Sequence, residues 1–344
     1  MITGENKRYI LLTFDYELFL GDRSGTVENC MIKPTDQLLK ILAKHQVKSI
    51  FFIDTLYLFR LRQEGLIHSL AKQDYDYISA QLLKLSADGH YLFHHIHPHW
   101  LNATYLPDTN EWDEHDYSHF AISTLDKEER SRVFQISKNE LEQIIPGAGS
   151  MATGFRAGGL YVQPMTAFID GFNQAGIRYD FSILPGFKSE EAFYNFDFTE
   201  VKEKKPYPFN NDILPDANGS FIEFPISTYE VKGALKIVNS LWHRLIVKNF
   251  LTPKWGDGIG SKNKIFPAKK NPFFRATEAC SVENLNPFRR IKYQNYLRQH
   301  AYLHIISHPK LISKSQLCVL DKFLDIICKR YSIEFDFMKF ATHT

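Results

Sequence analysis

Two short stretches of this sequence concentrate groups that bind cations or move protons. The first is Thr13-Phe14-Asp15-Tyr16-Glu17, directly after the apolar run that starts at Tyr9. Alternate side chains of an extended chain share a face, so Asp15 and Glu17 can converge on one point. Two close carboxylates repel, and one must then be neutralised by a proton or a cation. The second stretch runs from Gly89 to Trp100 and holds His90, His94, His95, His97 and His99. Imidazole is the commonest metal ligand near neutral pH, and so many histidines would otherwise each need separate hydrogen-bond partners. If the chain is extended, His95, His97 and His99 share a face; if it is helical, His95 and His99 do. Pro98 argues against a helix interior and places the pair on a turn after a strand.

One carboxylate with two histidines and open positions is the composition of hydrolytic zinc sites, where water becomes a nucleophile near neutral pH. The same set can hold iron for oxygen chemistry, so the residues leave the metal open. Three more segments bear on such a site. Gly154-Phe-Arg156-Ala-Gly158-Gly159 offers a guanidinium that can keep a carboxylate ionised, and free backbone N–H groups that can receive an oxyanion. Tyr302 to Pro309 is an apolar strand ending in His308, a position for a general acid or base, with His304 deeper in the strand. Asp180, in Tyr179-Asp180-Phe-Ser182, suits either an orienting partner for a catalytic imidazole or a structural hydrogen bond.

The elements that must position these groups alternate. Strands are expected at Tyr9–Phe14, Val47–Ile53, Tyr91–Ile96, Ile177–Ile183, Phe221–Phe224 and Tyr302–Ser307. Helices are expected at Pro34–Gln46, Tyr77–Ala87, Lys127–Ile145, Pro164–Ala175 and Gln316–Tyr331. Strand–helix alternation means an α/β protein with a parallel sheet, and in barrels of that kind reactive residues collect where strands end. The stretch 231–298, rich in Lys, Arg, Asn, Pro and Gly, breaks the rhythm and reads as an insertion or lid within a single domain of residues 1–344.

Composition narrows the function. A net charge of +2 on 344 residues gives no reason to expect a nucleic-acid partner. The 14% aromatic share suits a deep core and also surfaces that stack on sugar rings. Cys30, Cys280, Cys318 and Cys328 form no CxxC pair, which speaks against a zinc ribbon or a thioredoxin motif. The N-terminal apolar run is interrupted by Asp15 and Glu17 and reads as a core strand, not a secretion signal. No segment approaches the ~20 apolar residues of a membrane span. The expected location is the cytoplasm.

The order of these motifs resembles the polysaccharide deacetylase superfamily, the NodB-like proteins of carbohydrate esterase family 4. The phrases FDYELFLG and HIHPHW look like its WalW-like subgroup, linked to surface-polysaccharide gene clusters, and the likeness spans roughly residues 8–230 and 300–340. It implies a deformed (β/α) barrel and a hydrolase, most often holding zinc or another transition metal, that removes N-acetyl groups from a sugar or polysaccharide. In its terms Asp15 resembles the catalytic base, and Glu17, His95 and His99 the metal ligands. Arg156 would orient Asp15, His308 would be the acid, Asp180 would tune His308, and an N–H near Gly159 would be the oxyanion donor. The sequence departs from the common pattern in its spaced Asp15/Glu17 pair, in the Arg turn without prolines, and in His97 as an extra candidate ligand. Hydrolysis of a small amide, or sugar binding without catalysis, are the alternative functions. A non-haem iron oxygenase is a third.

Overall fold

The computed structural model describes residues 7–116, 118–191, 194–231, 254–260 and 276–342. Most of the expected insertion, 232–253 and 261–275, lies outside the described residues. The first half of the chain runs β1 (Lys7–Tyr16), α1 (Lys33–Lys44), β2 (Ile50–Asp54), α2 (Thr55–Glu64), α3 (Ser69–Ala87), β3 (Tyr91–Ile96) and α4 (Lys127–Ile144). It continues through β4 (Gly154–Ala157), α5 (Ile169–Ala175), β5 (Tyr179–Asp180), β6 (Tyr207–Phe209) and β7 (Phe221–Glu223). It then forms α6 (Pro287–Gln299), β8 (Tyr302–Ser307), α7 (Lys314–Arg330), β9 (Ser332–Glu334) and α8 (Phe337–Ala341).

One sheet carries the order β6-β7-β5-β4-β3-β2-β1-β8, with β9 also on β1. Every pairing in it but β6–β7 is parallel. Strand β1 is buried without a break from Ile10 to Tyr16, as a parallel strand covered on both faces should be. The sheet curls until its two sides meet. Just past β7, the Ser227 N–H donates to the His304 carbonyl of β8 at 3.1 Å, and the His304 N–H returns to Ser227 Oγ at 2.9 Å. The architecture is therefore a curled α/β half-barrel, made irregular by the very short β5 and β7.

Aromatic rings fill the interior. Phe181 lies 5.2 Å from Phe52, 5.0 Å from Phe224 and 5.5 Å from Phe337, centroid to centroid. Helix α8 places Phe337 against Tyr91 and Tyr179, where β3 and β5 begin. It thereby closes the N-terminal end and leaves the C-terminal end of the strands for chemistry. No described helix is long and apolar enough to cross a membrane.

The structure departs from the expected elements in instructive places. Helix α2 was not anticipated, because Leu56, Tyr57, Leu58 and Leu61 bury several of its faces and blur the helical period. Its start is fixed by Asp54, whose side chain accepts from the Tyr57 N–H. Pro287–Gln299, expected to be part of the insertion, is a regular helix capped by Asn286, which accepts from the N–H groups of Phe288 and Arg289. The expected strand Ile177–Ile183 shrinks to Tyr179–Asp180.

Gly154 opens β4 beside β3, and a Cβ there would run into the buried Phe93 ring. Gly154→Ala should lower unfolding stability by about 1–3 kcal/mol, the usual scale for overpacking. Urea denaturation checks this; an unchanged midpoint would show that β3 and β4 have room to spare.

Candidate active site

Adjacent strand ends bring the singled-out residues to one level. Asp54 at the end of β2 stands opposite His95 on β3, and His95 stands opposite Arg156 on β4. Strand β1 carries Asp15 and passes directly into Glu17, while β8 ends one residue before His308. The backbone stays extended through His97 (φ −112°, ψ 97°) before a 3-10 turn at Pro98–Leu101. His95 and His97 therefore share a face.

The two imidazoles and Glu17 form a tight triangle. Glu17 Oε2 lies 2.7 Å from His97 Nε2 and 3.2 Å from His95 Nε2, and the two nitrogens are 3.0 Å apart. His95 Nδ1 is 2.8 Å from the Arg156 carbonyl, which fixes the proton on Nδ1 and turns the Nε2 lone pair toward Glu17. A metal ligand needs that tautomer. Tetrahedral zinc with bonds of about 2.0–2.1 Å would hold its ligands roughly 3.3 Å apart, so the triangle is this arrangement slightly contracted. In addition, His97 Nδ1 and both ring nitrogens of His99 are buried without a hydrogen-bond partner. Buried polar atoms rarely go unpaired, so this side of the site lacks a partner. A nitrogen-rich set with one carboxylate oxygen fits zinc or a similar transition metal.

His99, expected as the second histidine ligand, lies outside this trio. The turn starting at Pro98 takes it off the face shared by His95 and His97, and its ring centroid is 5.3 Å from that of His97. His97, the extra candidate, takes the place in the triangle. Burial holds the His99 imidazole well below its usual pKa and therefore neutral. His94 and His304 are core histidines, shifted down by burial to about 4 and about 3.

Asp15 is held by a fully buried guanidinium. Arg156 Nη1 donates to Asp15 Oδ1 at 2.5 Å, while Nη2 reaches Thr13 Oγ1 at 2.8 Å and His304 Nε2 at 3.1 Å. Its Nε donates to the Phe181 carbonyl, and its plane lies 4.0 Å above the Phe52 ring. Burial pushes the Asp15 carboxyl upward, but Arg156, His95 and His308 outweigh it and hold the group ionised below its usual pKa. Glu17 is likewise pushed up by burial, and is drawn well below its usual pKa by Lys310 first and then by the neighbouring imidazoles of His97 and His95. His308 Nε2 stands 3.5 Å from both Asp15 Oδ2 and Glu17 Oε1. Burial lowers its pKa, but Glu283, Asp15 and Glu17 raise it further, to about 9, which keeps it protonated at neutral pH.

The partner expected for His308 has to be corrected. Asp180 Oδ1 accepts from Ser182 Oγ, whose oxygen accepts from the Ala157 N–H, and no ordinary donor among the described residues reaches Asp180 Oδ2. The acid at His308 is Glu283, whose Oε2 lies 3.2 Å from Nδ1 and also accepts from the His308 N–H and from Ser307 Oγ. Asp180 cannot serve because β5 is separated from β8 by β7 and the chain that follows it. Glu283 was missed because nothing in its type or spacing marked it within a polar stretch. Lys310, two residues beyond His308, was missed too; its Nζ donates to Glu17 Oε1 at 2.8 Å and to the Leu18 carbonyl.

Asp180 instead faces Glu223 in the buried wall beneath Arg156. Burial raises both carboxyls, that of Glu223 far above the usual range. One proton held between them avoids two buried like charges. A folded-state pKa above the unfolded one stabilises the fold while the proton is bound, and this contribution is lost as pH rises past the ordinary carboxylate range. Asp180→Asn removes one of the two acids, so the fall in stability as pH rises above about 5 should flatten. Equal pH slopes for wild type and variant in urea denaturation would mean that the two groups share no proton.

No family model matches the sequence, and no curated protein sequence matches it. Solved structures do resemble the fold. One from Mycobacterium smegmatis, assigned as a polysaccharide deacetylase, aligns over 100% of this chain and 91% of its own, with a TM-score of 0.50 and 14% identity. The Puue allantoinase aligns over 99% of this chain and 91% of its own, with a TM-score of 0.49 and 11% identity. A protein from Pseudomonas aeruginosa PAO1, also assigned as a polysaccharide deacetylase, covers 98% of this chain and 90% of its own, at a TM-score of 0.49 and 12% identity. The likeness to the first is one of fold along the whole chain.

Proposed function

We propose that this chain is a metal-dependent hydrolase that removes an N-acetyl group from a sugar or polysaccharide precursor. The observation that carries this reading is the convergence of Glu17, His95 and His97 beside an ionised Asp15 and a protonated His308 at one end of the barrel. Glu17, His95 and His97 would hold the ion, with zinc the best fit to the donors, and His99 stands next to them. Such an ion supplies Lewis acidity toward the acetyl carbonyl and lowers the pKa of water.

The remaining steps belong to the chain itself. Asp15, kept as a carboxylate by Arg156, takes the proton of the attacking water. A C–O bond forms, and N–H groups of the Gly158-Gly159 turn would receive the oxyanion. That turn lies against His97, since a Cβ on Gly158 would come within 2.7 Å of His97 Nδ1. The C–N bond then breaks as His308 gives its proton to the departing amine, and acetate and the free amino sugar result. Glu283 orients the His308 ring through Nδ1. Asp180 supports the wall through Ser182 and Ala157. Membership of the WalW-like subgroup, and with it a place in surface-polysaccharide synthesis, rests on FDYELFLG and HIHPHW.

Acetate release from N-acetylglucosamine oligomers, with and without a chelator, tests the reading. Release that is abolished by chelator and restored by zinc is expected. Asp15→Asn should keep the ion but lower kcat by about 100-fold or more, the scale of a lost acid or base; unchanged turnover removes Asp15 from the mechanism. By elemental analysis, His95→Ala and His97→Ala should each lose bound zinc, and His99→Ala should weaken its binding less than either. Full zinc content in both of the first two refutes the site.

A further inference from the structure

Lys310 is only 5% exposed, and its Nζ contacts a carboxylate that also faces two imidazoles. The two oxygens of Glu17 are used differently. Oε2 points to His95 and His97, while Oε1 accepts from Lys310 Nζ at 2.8 Å. The lysine has little freedom to leave. Its Nζ is bonded to the Leu18 carbonyl and lies 5.0 Å from the Phe19 ring centroid. Its own carbonyl accepts from the Gly256 N–H at 2.9 Å, and the Ile312 carbonyl accepts from the Trp255 N–H at 3.1 Å.

The segment 254–260 is itself clamped in place. Asp257 accepts from the Thr26 N–H, Thr26 Oγ1 and Asn29 Nδ2, each at 2.9 Å. A Cβ at Gly256 would meet both the Phe19 ring and the Lys310 carbonyl, so the three pieces are in close contact. The described part of the inserted region thus braces the loop after β1 against the loop after β8. It does so around Lys310, the side chain that donates from the loop after β8 to Glu17 at 2.8 Å.

We infer that Lys310 is a positioning residue that selects the ion: by holding Oε1 of Glu17, it leaves the carboxylate a single oxygen, Oε2, to offer. This rests on the reading of Glu17 as an ion ligand. A one-oxygen carboxylate beside two imidazoles suits a four-coordinate, nitrogen-rich ion such as zinc. Manganese favours more oxygen ligands, and a carboxylate free at both oxygens can chelate it. Removing a positive charge near the site changes the affinity for every dication in the same direction. The ratio of two dication affinities cancels that effect and isolates the number of oxygens offered.

The test measures equilibrium affinities of the whole chain for zinc, by competition with a chromophoric chelator, and for manganese, by spin resonance of the free ion. Lys310→Met keeps the apolar stem over Phe19 and removes the donor. The preference for zinc over manganese should fall by about tenfold or more in this variant, with folding verified by circular dichroism. If Met does not fold, Lys310→Gln is read in the same way. A wild-type chain that binds zinc and a ratio that stays within about twofold overturn the inference and leave the proposed function standing. A wild-type chain that binds neither ion overturns both.

Discussion

Two carboxylates, one residue apart and almost out of water, have to stay ionised together at the end of β1. Everything else at that end of the barrel answers this constraint. Buried charges of one sign persist only when each has its own compensating partner. Asp15 has Arg156 from β4, and Glu17 has Lys310 from the turn after β8. The two cations come from opposite sides of β1, so neither carboxylate depends on the other's partner. What remains uncompensated is the face of Glu17 toward His95 and His97. There a carboxylate oxygen and two imidazole nitrogens converge, with no Lys or Arg of the described residues placed among them.

The same division separates the chemistry. Arg156 is locked by Thr13, His304, the Phe181 carbonyl and the Phe52 ring, so Asp15 is held in place as a carboxylate. His308 is drawn toward protonation by three carboxylates and stands 3.5 Å from Asp15. On the proposed reading, this ionised carboxylate and protonated imidazole, next to each other and to Glu17, supply the base and the acid that amide hydrolysis requires. Beneath them His304 is held neutral by burial, and burial raises Asp180 and Glu223 toward protonation, so the positive charge that the wall turns toward Asp15 is that of Arg156.

Much of this was legible in the residues. The apolar run before Asp15, the histidine density at 90–99 and the apolar strand before His308 each placed a strand end correctly, because buried parallel strands announce themselves by composition. Side-chain partners were harder to read. The two-residue period of an extended chain pointed to His95 with His97 as well as His99, and only the 3-10 turn after His97 decides among them. Only the family resemblance assigns Asp180 to His308, while its own segment suits a structural hydrogen bond equally well. Barrel order puts β7 between β5 and β8, and strand order is not written in local periodicity. Glu283 and Lys310 reach the site from segments whose composition resembles any polar surface, and only their burial against His308 and Glu17 sets them apart.

The central claim is that Glu17, His95 and His97 enclose a divalent ion. Anomalous diffraction at the zinc edge, from crystals grown with zinc, tests it most directly. The account predicts one strong peak about 2.0–2.2 Å from Glu17 Oε2 and from Nε2 of both histidines, with Glu17 Oε1 still on Lys310. A zinc peak elsewhere in the barrel, or none at full zinc occupancy of the solution, would contradict it.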